Sequence, residues 1–286
     1  MTPREIVIIS GKGGTGKTTV ASSLVPYLEN LVIGDCDVDA PDLKILFSGE
    51  EDKRYSFSGL QRPVIDNEKC INCGKCHDLC KFDAIDSEIN FSSHKCEGCG
   101  LCEYICPADA IEMKDFIIGD VMHSSTDYGK MIHGKLIPGE ETSGKLVGQV
   151  RQDAYFTAKE TGKPYVLIDG SPGLACNVIS SITGAHRVVI VVEPTKSGLH
   201  DLKRVYQLVS GFKIQISVVI NKYDLSLEMT NQIESYCKEL NIDLDLKIPF
   251  DKRIIDSIRN LEIPSIREKD FFNEIGFSEF AKKIMR

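Results

Sequence analysis

The sequence predicts an α/β protein, a mostly parallel sheet doubly wound by helices and interrupted by a small cysteine-rich α+β module. Three observations carry this. Short β-branched runs recur along the chain with helical stretches between them, a glycine-rich turn joins the first run to the first helix, and eight of the 11 cysteines fall between Cys70 and Cys106. Buried parallel strands read as such continuous apolar runs, and intervening helices imply right-handed crossovers. At 286 residues the chain can form one such domain plus a satellite, or two ordinary domains.

Taken in order, residues 4–9 read as a strand, 10–16 as the glycine-rich turn, a helix runs from Lys17 toward Glu29, and 31–34 form a second strand. From about Arg62 to Asp115 the strand-helix rhythm gives way to short cysteine-rich loops. The main domain is therefore expected at 1–61 and 116–286, with an inserted module at 62–115. The rhythm resumes with a helix near 145–161 and strands at 165–169, 187–192, 214–220 and 244–248. The last stretch, 270–286, has apolar residues at helical spacing, with Lys282, Lys283 and Arg286 late, where cations favour the helix dipole. It reads as a docked helix.

Composition narrows the function classes. A formal charge of -8 argues against broad nucleic-acid binding through a basic surface. Between Arg62 and Asp115 there are 11 acidic and 6 basic residues, so the inserted module is an acidic island suited to a basic protein partner. No apolar run approaches the ~18 to 20 residues that span a bilayer, and the N-terminus lacks a basic region leading into a signal core, so the expected location is cytoplasmic. In a reducing compartment, cysteines in tight runs are metal ligands rather than disulfides.

The segment Gly11-Lys12-Gly13-Gly14-Thr15-Gly16-Lys17-Thr18 fits G-x-x-x-x-G-K-[ST] between a predicted strand and a predicted helix. Glycines there let backbone N–H groups face phosphates at a helix N-terminus, where the dipole also favours anions. Lys17 is expected to bridge the β- and γ-phosphates, the Thr18 hydroxyl to ligate Mg²⁺, and Thr19 to add a phosphate contact.

The letters KGGTGKTT resemble the deviant Walker A ATPases, which include MinD, chromosome-partitioning ATPases and the nitrogenase iron protein. The resemblance implies that Lys12 reaches the partner's phosphates in an ATP-bound dimer of two copies or of this chain with a paralogue. Asp35-Cys36-Asp37-Val38-Asp39 resembles the family's switch I, which makes Asp37 the first choice to orient the attacking water and Asp39 the second. Asp42 reads equally as a helix cap. Asp169-Gly170-Ser171-Pro172-Gly173 resembles switch II, with Asp169 holding Mg²⁺ through water and Gly173 giving backbone access to the γ-phosphate. Asn221-Lys222-Tyr223-Asp224 follows an apolar strand and reads as a base-recognition loop, with Pro249 in Ile248-Pro249-Phe250-Asp251 on the other wall. The same N-K-x-D letters select guanine in GTPases, so GTP stays open; the Lys12-containing loop favours ATP.

The most specific signal lies in the module. Cys70-x2-Cys73-x2-Cys76-x3-Cys80 and Cys96-x2-Cys99-x2-Cys102-x3-Cys106-Pro107 repeat at an offset of 26 residues and match the bacterial ferredoxin pattern. In that pattern the fourth cysteine of each run serves the other cluster. Cys70, Cys73, Cys76 and Cys106 are therefore expected to hold one 4Fe-4S cluster, and Cys96, Cys99, Cys102 and Cys80 the second. Zinc is the rival for paired C-x2-C runs, although eight thiols at these spacings suit two cubanes better. Lys81 replaces the proline that often follows the fourth cysteine.

The chain as a whole resembles MinD-superfamily ATPases containing an inserted ferredoxin domain. The expected function is an ATPase, needing ATP, Mg²⁺ and two 4Fe-4S clusters, whose nucleotide state gates electron transfer with a redox partner protein. The alternatives are an iron-sulfur or metal-centre maturation ATPase and a MinD-like positioning ATPase with redox-sensing clusters. Neither nucleic acid nor membrane is an expected partner. Cys176, seven residues beyond Asp169, reads either as a ligand facing the dimer partner, as in the nitrogenase iron protein, or as a small buried residue opening a helix. His123 and His133 are given no chemistry.

Overall fold

The computed structural model describes residues 2–140 and 143–286, and of Ser143 only the backbone. One nine-stranded sheet organises the chain. Its elements in order are β1 (Arg4–Ser10), α1 (Lys17–Leu24), β2 (Leu31–Asp35), α2 (Leu43–Leu46), β3 (Gly49–Ile65), α3 (Lys75–Asp78), α4 (Leu101–Tyr104), β4 (Ile111–Thr126), β5 (Gly129–Leu136) and α5 (Ser143–Glu160). Then follow β6 (Tyr165–Pro172), α6 (Cys176–Ile182), β7 (Arg187–Val192), α7 (Lys196–Val209), β8 (Gln215–Asn221), α8 (Leu227–Glu239), β9 (Asp243–Ile248), α9 (Lys252–Arg259), α10 (Pro264–Arg267), α11 (Lys269–Glu274) and α12 (Phe277–Ile284).

The strand order is β3-β4-β5-β2-β6-β1-β7-β8-β9. From β5 to β9 in that order neighbouring strands run parallel, while β4 pairs antiparallel with both β5 and β3. Alternate side chains of one strand feed two cores. Val7 and Ile9 of β1 pack with Leu146, Val150, Val178 and Leu202 of α5, α6 and α7. Ile6 and Ile8 face Val20 and Leu24 of α1 and the aromatic group Phe272, Phe277 and Phe280. Burial on both faces is why these strands read as unbroken apolar runs.

Three local expectations change. The first helix stops at Leu24 rather than nearing Glu29, because Pro26 lacks the N–H that a further turn would use and sits in a 3-10 turn instead. The C-terminal helix is two helices broken at Gly276, whose φ of 79° is left-handed; both are docked through Phe271, Phe272, Phe277, Phe280 and Ile284. The departure from parallel α/β order is also wider than 62–115. β3 begins at Gly49, and β4 and β5 form a hairpin ending at Leu136.

Near the sheet, β4 is paired on both sides, but its pairing with β5 ends at Gly119–Leu136. Beyond that point Ile111–Ile117 of β4 pairs only with β3, so a two-stranded ribbon leaves the sheet carrying residues 66–110. The ribbon's base is fastened to α5: Tyr55 Oη donates to Asp153 at 2.7 Å, His123 Nε2 meets the same carboxylate at 2.7 Å, and Lys145 Nζ donates to the Gly59 carbonyl at 2.5 Å. His133 lies buried in β5, where burial and the Lys44 charge push its pKa down to about 4. Among the described residues no helix is long and apolar enough to cross a membrane.

Candidate functional site

The loops following β1, β2, β6, β8 and β9 all leave the same edge of the parallel sheet and meet at a cleft of about 410 Å³. Open α/β sheets bind ligands at this edge, where successive crossovers diverge. Gly13, Gly14, Gly16, Lys17, Thr18 and Thr19 form its floor. Gly16 occupies the N-cap of α1 with φ 89° and no side-chain cap, leaving the helix amides for an anion. A Cβ on Gly16 would lie 2.2 Å from Asn221 Nδ2, so the loop's closeness to β8 also requires glycine there.

Lys17 is the centre of the charge arrangement. Its Nζ donates to Asp169 Oδ1 at 2.7 Å and lies 3.5 Å from Asp37 Oδ2, with its side chain 6% exposed. Thr18 Oγ1 donates to the other Asp169 oxygen at 2.7 Å. Burial works against the Lys17 charge, but Asp169 and then Asp37 outweigh it, so its pKa is raised. The parallel register explains the convergence: Asp35 lies opposite Asp169 across β2 and β6, and Ile8 lies opposite Asp169 on the other side. Hard oxygen donors at Thr18 and Asp169, beside a phosphate-binding loop, fit Mg²⁺, which keeps most of its waters and takes few protein ligands.

The sequence reading passed over Asp35. It is fully buried and accepts from the N–H groups of Asp37 and Leu43 at 3.1 and 3.2 Å, pinning both ends of the loop that presents Asp37. Burial, then repulsion by Asp169, raises its pKa well above the usual carboxylate range. An aspartate ending an apolar strand was the available signal. Burial raises the Asp37 pKa as well, against the opposing charge of Lys17. Asp39 is exposed and off the cleft wall, whereas Asp42 lines the cleft and its side chain makes no cap bond to α2.

The other expected residues fall into two groups. Asn221, Lys222 and Pro249 line the far end of the cleft with Phe250, Ile254 and Ile258, an apolar slot beside polar groups. Asn221 Nδ2 donates to the Thr15 carbonyl at 2.8 Å, and Lys222 pairs with Glu193 at 2.5 Å. Asp224 is not part of the slot's lining and accepts from the Phe250 N–H at 2.6 Å. Lys12 and Gly173 stand off the cleft wall. Lys12 Nζ donates to Ser197 Oγ at 3.0 Å at the start of α7, Gly11 packs against Asp201 of the same helix, and the Gly173 N–H donates to the Ser10 carbonyl at 2.8 Å.

The eight clustered cysteines lie together beyond the ribbon. The sequence repeat is repeated in the backbone: Asn72 and Gly98, Gly74 and Gly100, and Asp83 and Asp109 all have positive φ at matching places, and α3 and α4 follow the two glycines. Two cavities divide the thiols. Cys70, Cys73, Cys76 and Cys106 line one; Cys80, Cys96, Cys99 and Cys102 line the other, which Cys76 also borders. Backbone N–H groups of Ala84, Gly98 and Ala110 donate to Cys80, Cys96 and Cys106 sulfurs at 3.3–3.4 Å. Among the described residues no three His, Cys, Asp or Glu side chains close on one point where a single ion would sit. Cys176 opens α6 exposed, so the reading of a buried small residue does not hold; Cys36 and Cys237 are the buried ones.

Comparison with known proteins agrees with the cleft. Residues 6–264 match the model of the CobQ/CobB/MinD/ParA nucleotide binding domain. Two uncharacterized proteins of Methanocaldococcus jannaschii are similar: MJ0578, 37% identical over 76% of this chain and 78% of its own length, and MJ0579, 30% identical over 88% and 87%. In fold the chain is similar to the septum site-determining protein MinD of Pyrococcus horikoshii, solved with Mg-ADP, at a TM-score of 0.59, 17% identity and coverage of 99% of this chain and 96% of that one. With a nucleotide-binding cleft built on the matched residues and the family model spanning most of its length, this chain belongs to the CobQ/CobB/MinD/ParA nucleotide-binding family.

Proposed function

We propose that the protein is a MgATP-hydrolysing switch of the MinD/ParA kind, working as an ATP-dependent dimer, whose cysteine module holds two 4Fe-4S clusters. The observation that carries the ATPase reading is the closed set of contacts joining Lys17 to Asp169 and Asp37, with Thr18 on the same aspartate. A γ-phosphate entering beside Lys17 competes with Asp169 for the ammonium and frees that carboxylate toward the metal side. Asp37, held at the phosphate end by Asp35, is then positioned to orient water for in-line attack. Lys12 leaves Ser197 for the partner's phosphates, which makes dimer formation depend on the triphosphate.

Adenine is favoured over guanine because Asp224, the residue that would read guanine, is already bonded to the Phe250 N–H. The apolar slot of Phe250, Ile254 and Ile258 accepts a purine face without specifying its edge.

Two features support the clusters. The thiols divide between two cavities in the pairing the repeat implies, and backbone N–H groups already point at three of the sulfurs, as outer hydrogen bonds to cluster ligands do. When bound, such clusters supply one-electron redox chemistry. In the MinD-like reading they report redox state to the switch. A second reading, nucleotide-gated electron transfer to a partner, is favoured by one observation: the ribbon carrying the module leaves the sheet at the end of β5, where the Leu136 N–H donates to the carbonyl of Val38, next to Asp37, at 3.1 Å.

Asp37→Asn tests the switch. It removes the water-orienting charge and leaves Lys17, Thr18 and Asp169 in place, so hydrolysis is expected to fall by about 10²- to 10³-fold while MgATP binding survives. The variant should accumulate as dimer with MgATP but not MgADP, and the wild type should turn over MgGTP at most about a tenth as fast as MgATP. Full hydrolysis by Asp37→Asn would contradict the assigned role.

A further inference from the structure

Arg62 is the residue whose environment the nucleotide cleft does not explain. It sits near the end of β3 with 5% exposure, pairs bidentately with Glu140 at 3.2 and 2.6 Å, and lays its guanidinium 4.1 Å from the centroid of the Phe116 ring. Both side chains of the pair are more than nine-tenths buried, and the Arg62 Nε has no partner among the described residues. A buried ion pair costs desolvation on both charges, so the site keeps it at the expense of stability that apolar residues would supply.

The stretch of β3 that carries Arg62 borders the second cysteine cavity. Pro63, next in sequence, is part of that cavity's wall. The Cys96–Cys102 loop presses on the same stretch of β3: a Cβ on Gly98 would come within 2.7 Å of the Gln61 carbonyl and 3.4 Å of Leu60. From the other side, His94 Nδ1 contacts the Gly139 carbonyl at 3.1 Å, so the loop before Cys96 also grips the segment that carries Glu140.

We propose that the Arg62–Glu140 pair sets the redox potential of the cluster held by Cys80, Cys96, Cys99 and Cys102, with Arg62 as its positioning residue. The inference rests on the two-cluster reading above. Reduction adds one negative charge to a cluster. A desolvated cation beside it stabilises the reduced form, and a desolvated anion destabilises it, with little screening from solvent. The pair balances the two effects beside one cluster, while the Cys70, Cys73, Cys76 and Cys106 cavity shares none of these contacts.

The test is an anaerobic redox titration of the full chain followed by EPR, with iron counted on each sample. Arg62→Gln should lower the midpoint potential of one cluster and Glu140→Gln should raise that of the same cluster, while Arg62→Lys stays near the wild type. The other cluster's potential should not move in any of them. If Arg62→Gln fails to fold, the upward shift in Glu140→Gln decides alone, because that variant keeps Arg62. Unmoved potentials in variants with full iron would overturn the inference and leave the clusters standing, as would equal shifts in both clusters. A wild type lacking iron would overturn the two-cluster reading itself and this inference with it.

Discussion

Lys17→Ala is expected to reduce MgATP hydrolysis by at least about a thousandfold, with nucleotide binding weakened as well. The side chain is 6% exposed and is the cation shared by Asp169 and Asp37. Its loss leaves the phosphates without their buried counter-charge. It also leaves three aspartates facing one another, because Asp35 and Asp169 occupy matched positions on adjacent strands. Removing one member of a buried pair costs about 3–5 kcal/mol when the other stays charged.

The sign with pH follows from Asp35. Burial and Asp169 raise its folded pKa above the unfolded value, and Lys17 opposes that rise. A carboxylate with a raised folded pKa destabilises the protein fully above that pKa, less as pH falls through it, and not at all below the unfolded pKa. Without Lys17 the rise grows, so thermal melts of Lys17→Ala should show a stability deficit at neutral pH that shrinks on acidification. A deficit independent of pH would show that the aspartates are not held by this cation.

The second large effect is on iron. In the paired arrangement Cys80 belongs to the cluster of Cys96, Cys99 and Cys102, so Cys80→Ala should reduce the iron content from about eight to about four per chain. Combining Cys80→Ala with Cys96→Ala should remove no more, because both act on one cluster. Combining Cys80→Ala with Cys70→Ala should remove nearly all of it. If each run instead served its own cluster, the two double variants would exchange results. The division of thiols between the two cavities favours the first outcome.

The parts of this molecule that were legible in sequence are those where one chemical demand falls on neighbouring residues. The glycines and Lys17 of the phosphate loop must follow one another because consecutive amides and one ammonium face a single anion. The cysteine runs are legible for the same reason. The strands β6, β7 and β8 are almost continuously buried, and continuous burial forces continuous apolar sequence.

What was missed depends on distant pairing. Residues 49–61 are rich in charge and largely exposed, so apolar alternation there is confined to the short Tyr55-Ser56-Phe57-Ser58; backbone bonds to β4 and the fastening of Tyr55 on α5 hold the strand. Asp35 looked like one more acidic residue in a run of three. Only the register of β2 against β6 makes it the buried brace of the switch. Asp39 and Asp37 are alike in sequence spacing, and the turn after β2 exposes one and directs the other to Lys17. The Arg62–Glu140 pair joins residues far apart in the chain and carries no local signature.

In the proposed reading the nucleotide cleft and the cysteine module form one device. The physical basis is α5: its surface holds the ribbon through Asp153 and Lys145, and its first turn at Gly144 packs against Cys176 at the start of α6, just after the switch II loop. In the proposed reading a shift of that loop on ATP binding would reach the module through these packed contacts. The most direct measurement is EPR of the anaerobically purified, dithionite-reduced protein, with MgATP and without nucleotide, alongside an iron count. Two 4Fe-4S signals from about eight irons per chain, changing in line shape or potential with MgATP, are the predicted result. Iron far below that count, or two cluster signals indifferent to MgATP under conditions where the nucleotide is bound, would contradict it.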